Sequence, residues 1–109
     1  MKKRLKKKWI EALRSDTYKQ GKGFLKTIDN KYCCTGVLLE LFDPIIFINR
    51  TTDTGQCYAV NHYHNISTIP MKIQKDMQIE NKDMDILIKM NDEENKSFRE
   101  IADWVEANL

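Results

Sequence analysis

Two glycines bracket a lysine in Gln20-Gly-Lys-Gly23, and Arg14, Lys19 and Lys22 bring cations to the same stretch. Glycine lets a backbone approach a ligand closely, and cations beside it favour an anion, so the chemistry offered is phosphate binding. A related element follows at Tyr32-Cys-Cys-Thr-Gly36, where small residues stand at an expected strand-to-helix junction. The first amides of a helix lack intrahelical partners and carry partial positive charge, so anions settle there. If the two stretches are neighbours, Gln20, Gly21, Gly23, Thr35 and Gly36 line one pocket, and Tyr18 or Tyr32 stacks on a base. The alternative is plainer: a bent edge strand with solvated lysines, and Cys33 and Cys34 as small core residues. The spacing differs from G-x-x-x-x-G-K-[ST], and the segment leads into a strand, which excludes a P-loop NTPase.

The other reactive side chains assemble into nothing recognisable. Cys57 with His62 and His64 has the residue types for zinc, but no C-x2-C pair accompanies them and the spacing fits no common structural site. A Cys–His nucleophile would further need an orienting acid and an oxyanion hole, which no spacing identifies. Asp92, Glu93 and Glu94 lack the ligand alternation and central glycine of a calcium loop. The expectation is a protein with no catalytic residue, no metal and no cofactor.

These residues need elements to position them. A chain of 109 residues makes one domain, 1–109, of α+β class. Leu5, Trp9, Ala12 and Leu13 form one apolar stripe and predict a helix over 1–15, with lysines on its other faces. Residues 18–34 read as a β-hairpin, turning at Thr27–Lys31, where Asp and Asn tolerate positive φ. A short helix over 35–42 follows, capped by Thr35 and stopped before Pro44. Segments 45–48 and 56–60 suggest a second hairpin, with polar loops at 49–55 and 61–67. Residues 68–109 form a cluster of about three helices, the last opened by the capping box Ser97-Phe-Arg-Glu100. Trp9 and Trp104 are read as core.

Charge is distributed unevenly. Residues 1–31 hold eleven Lys/Arg and three Asp/Glu, a net +8; residues 76–109 hold four and ten, a net −6. The basic end can attract an anion, or the two ends can neutralise each other, within one chain or between copies. No run of eighteen apolar residues exists, so no membrane span is expected. The basic start lacks the apolar core of a signal peptide, and three cysteines with no obvious pairing fit a reducing compartment.

Lys8–Gly23 (KWIEALRSDTYKQGKG) resembles a "kWveALRSGkYkQGkG" opening. Tyr32–Leu41 (YCCTGVLLEL) resembles "YCCLGVLcel", Ile69-Pro70 stands where the pattern has "LP", and Met90–Leu109 resembles "LNDdgksFaeIAdyIEenL". The pattern belongs to a widespread set of small proteins of tailed phages and prophages. Asp16 replaces its usual Gly, and Thr35 and Met90 its usual Leu. The resemblance implies a phage product acting in the cytoplasm of the bacterial host. By analogy with small phage counter-defence proteins, it implies a homo-oligomeric sponge. Such a protein sequesters a nucleotide second messenger, of cyclic oligonucleotide or cyclic ADP-ribose type, without cleaving it. The acidic last helix would then pack on a neighbour's basic first helix. Two rivals stand beside this: an inhibitor of a host enzyme or defence effector, and a nucleic-acid-binding protein using Lys2–Lys8. Against the second, the acidic C-terminal half disfavours a long nucleic-acid track.

Overall fold

The computed structural model describes residues 1–27, 29–43, 47–51, 57–61 and 68–109, with 47–51 and 57–61 described through their backbone pairing alone. Helix α1 spans Lys3–Arg14 and buries Trp9, Ile10 and Leu13. Strands β1 (Lys19–Gln20) and β2 (Lys31–Tyr32) precede α2 (Cys34–Phe42). Strands β3 (Phe47–Thr51) and β4 (Cys57–Asn61) pair antiparallel, and α3 (Met71–Met77), α4 (Asn81–Asp92) and α5 (Phe98–Asn108) complete the chain. The architecture is α+β with a helical C-terminal cluster, as the apolar periodicities require. The second pair of strands sits close to its expected place. Residues 49–51 and 61, expected in loops, belong to these strands, while 28, 44–46, 52–56 and 62–67, with Pro44, His62 and His64, lie outside the described residues.

Helix α1 packs against both α2 and α5, and α2 also meets α4. Trp9 is fully buried, and its indole Nε1–H donates to the Cys34 carbonyl at 2.9 Å. A buried indole needs such a partner, and this one fixes the middle of α1 over the start of α2. Leu38, Leu39, Leu87, Ile101 and Val105 close the core around it. Each such side chain contributes about 1.5–3 kcal/mol by leaving water.

The first hairpin is narrower than 18–34. Its arms are Lys26 and Tyr32, bridged antiparallel, with the Cys33 amide donating to the Leu25 carbonyl at 3.2 Å. Lys19–Gln20 instead pairs parallel with Lys31–Tyr32, on the other edge. The chain therefore reverses between Gln20 and Leu25. Gly23 permits this with φ +79° and open space around it. Asn30 makes the hairpin turn with φ 62°. Helix α2 begins one residue earlier than expected. Cys33, not Thr35, is its N-cap, and the Cys33 Sγ accepts from the Gly36 amide at 3.3 Å.

Candidate functional site

The glycine stretch, the start of α2 and the end of α4 converge on one side chain. Asn91 is fully buried. Its Oδ1 accepts from Gln20 Nε2 at 2.8 Å and from the Cys34 amide at 3.2 Å. Its Nδ2 donates to the Gly21 carbonyl at 2.9 Å and to Asp92 Oδ1 at 2.8 Å. A side-chain amide has two donors and two acceptor sites, so Asn91 is saturated. Gln20 is committed likewise, donating also to the Lys96 carbonyl at 2.8 Å.

This network occupies the place expected for a phosphate. The Gly21 amide donates to the Tyr32 carbonyl at 2.7 Å, and the Gly23 amide to the Asp92 carboxylate at 3.2 Å. The Gly36 amide is taken by Cys33, and a Cβ at Gly36 would stand 1.7 Å from the Leu25 carbonyl oxygen. Thr35 is 1 % exposed, with its Oγ1 at 3.1 Å from Cys33 Sγ. The pocket expected between Gly21–Gly23 and Thr35–Gly36 is thus filled by Asn91, Asp92 and Leu25. Lys19 and Lys22 are exposed beside it.

The expected stacking platforms are engaged as well. Tyr18 and Tyr32 meet edge to face, with centroids 5.0 Å apart. The Tyr32 hydroxyl donates to Glu40 Oε1 at 3.0 Å, and Lys26 Nζ lies 5.3 Å from the Tyr32 ring and 3.8 Å from Glu40. Burial first, then the Glu40 carboxylate, pushes the Tyr32 phenol far above its ordinary range. Burial also raises the thiols of Cys33 and Cys34, which makes both poor nucleophiles. Among the described residues no group of His, Cys, Asp and Glu could hold a metal ion.

Arg14 is also spoken for. It binds Asp103 Oδ1 at 2.7 Å and Glu106 Oε2 at 3.1 Å, so acidic α5 lies antiparallel on α1 of the same chain. Asp16 extends this seam, accepting from Arg99 at 2.8 Å. At φ 61°, Asp16 holds a left-handed conformation that glycine adopts without steric cost.

The seam stops short of the start of α1. Lys2, Lys3, Arg4, Lys7 and Lys8 form no ion pair among the described residues, and Lys6 reaches only the Glu106 carbonyl, at 3.4 Å. No acid stands in the first turn, and the N-cap residue, Lys2, makes no side-chain capping bond. Two clefts flank this basic start. One, of about 330 Å³, lies towards α5, where Lys3, Lys6, Lys7 and Arg14 stand with Ile10 and the acids Glu11 and Glu106. The other, of about 240 Å³, lies towards the end of α2, lined by Lys2, Arg4, Leu5, Lys8, Leu41 and Phe42. The cation run was visible in the sequence. That it meets no acidic partner among the described residues is a property of the fold.

The chain belongs, over residues 1–109, to a family described as a domain of unknown function, DUF8296. No curated protein and no solved structure matches it. No helix among the described residues is long and apolar enough to cross a membrane.

Proposed function

We propose that the protein is a non-catalytic binding protein that captures a phosphate-bearing nucleotide signal on the basic start of α1. Its setting would be phage counter-defence in the bacterial cytoplasm. The ligand class is the cyclic oligonucleotide or cyclic ADP-ribose type that the phage resemblance implies. The observation that carries this reading is the set of six cations at Lys2, Lys3, Arg4, Lys6, Lys7 and Lys8 without a carboxylate partner among the described residues. The chain has 16 acids, yet Asp103 and Glu106 of α5 are taken by Arg14 and Glu100 by its own cap. Cations at a helix N-terminus also oppose the macrodipole. An arrangement that costs stability by itself is relieved by a bound anion. Sequestration asks only for tight binding, so charge and shape suffice. Homo-oligomerisation would multiply such sites.

The test is a thermal-shift panel of cyclic dinucleotides, cyclic trinucleotides, cyclic ADP-ribose isomers and mononucleotides. A ligand at 100 times its dissociation constant stabilises by about 2.7 kcal/mol, which moves the melting point of a domain this size by several degrees. A selective shift that Lys8→Glu abolishes, with the ligand recovered intact, supports the reading. A flat panel rejects it. The cation run on a single helix also suits nucleic acid. That reading predicts binding to any duplex, with affinity falling steeply as salt rises.

A further inference from the structure

We propose that the cleft between the start of α1 and the end of α2 is a split site, taking an aromatic ring at Phe42 and phosphate at Arg4 and Lys8. This inference rests on the proposed nucleotide capture and specifies where and how the ligand lies.

The two helices run antiparallel, because Trp9 of α1 bonds Cys34 at the start of α2, while Lys2, Arg4 and Leu5 share a cleft with Leu41 and Phe42 at its end. The cleft therefore has opposite poles. At one pole stand the positive end of α1, its uncapped first turn, and the cations Lys2, Arg4 and Lys8. At the other stands the negative end of α2, whose last turn has no basic residue.

Between the poles the floor is apolar: Leu5, Leu41 and Phe42, each half-buried and packed on the core. A purely inorganic polyanion has no use for that floor and is repelled by the α2 pole. A ligand that is anionic at one end and flat, neutral and amine-bearing at the other matches all three surfaces. Amino-bearing nucleobases joined to phosphate have that polarity. At about 240 Å³ the cleft is smaller than the usual drug-sized pocket, so it suits one base with its phosphate. A cyclic or oligomeric ligand would leave its further units on the α1 surface or in a second copy.

The experiment compares ATP with inorganic tripolyphosphate by titration calorimetry on the full chain at fixed low ionic strength. The two share a triphosphate, and tripolyphosphate carries the higher charge, so charge alone favours it. The split site predicts the reverse, with ATP tighter by about fivefold or more, in line with base–aromatic stacking. Phe42→Leu keeps an apolar side chain of similar bulk and removes the ring. It should bring ATP down to the tripolyphosphate level and leave tripolyphosphate unchanged. Lys8→Glu should weaken both. Far-UV circular dichroism and the melting point of each variant show that it is folded. Equal binding of ATP and tripolyphosphate, or indifference of ATP to Phe42→Leu, overturns the split site and leaves anion capture standing. Failure of both probes and of the whole nucleotide panel overturns the capture itself, and the split site with it.

Discussion

Asn91 ties together three stretches of chain that lie far apart in sequence, and its removal should show it. In Asn91→Ala the Cys34 amide and the Gly21 carbonyl both lose a buried partner. Each unsatisfied buried group costs about 1–3 kcal/mol, so we expect a loss of about 2–4 kcal/mol. That is a large share of the roughly 5–15 kcal/mol typical of a domain. The check is the urea midpoint, which should fall with an unchanged m-value. A loss under about 1 kcal/mol would mean that the network is replaceable by water. The same residue explains why the sequence misleads at this scale. Glycines, a capping position and nearby lysines are what a phosphate cradle needs, and they are also what a close internal crossing needs. Gly36 lacks a side chain because Leu25 crosses over it, and Gly23 bends the chain towards Asp92. The deciding partner is 71 residues from Gln20, beyond the reach of any local spacing.

Among the elements, α5 is the most fully written in the sequence. Ser97 Oγ accepts from the Glu100 amide at 3.2 Å, and Glu100 Oε1 accepts from the Ser97 amide at 3.1 Å, closing the expected capping box. The backbone hydrogen bond from Ser97 holds the Glu100 carboxyl below its ordinary value of 4.5. A depressed carboxylate stabilises the fold above its unfolded pKa, and that contribution is lost as pH falls through the folded one. Glu100→Gln should therefore be less stable than the parent at neutral pH. The gap between them should close below about pH 4.5, measured by urea melts across pH 2.5–7. A gap that stays constant with pH would assign the loss to helix propensity alone. The helices were legible because 3.6-residue periodicity and caps are local signals. The direction of β1 was not, because two residues of alternating pattern carry no information on parallel or antiparallel pairing.

At the scale of the whole molecule, the charge asymmetry resolves into two parts with different fates. The C-terminal half of α1 is neutralised by α5 through Arg14, and the seam continues through Asp16 and Arg99. The N-terminal half is left cationic, at the helix end where cations are disfavoured. The sequence displayed the +8 and −6 halves but not which lysines α5 would leave uncovered, since that depends on the antiparallel docking of the two helices. If the uncovered cations exist for a ligand, they should trade stability for binding. Lys3→Glu places an anion in the first turn of α1 and thins the cluster. In low salt and without ligand it should raise stability by about 0.3–1 kcal/mol. The gain should shrink as salt shortens the screening length. The same substitution should reduce the thermal shift produced by the nucleotide that stabilises the parent protein. A variant both more stable alone and less responsive to ligand is the signature of a site kept at a cost. A variant less stable in both conditions would mean that Lys3 supports the fold, and that the basic start of α1 needs another explanation.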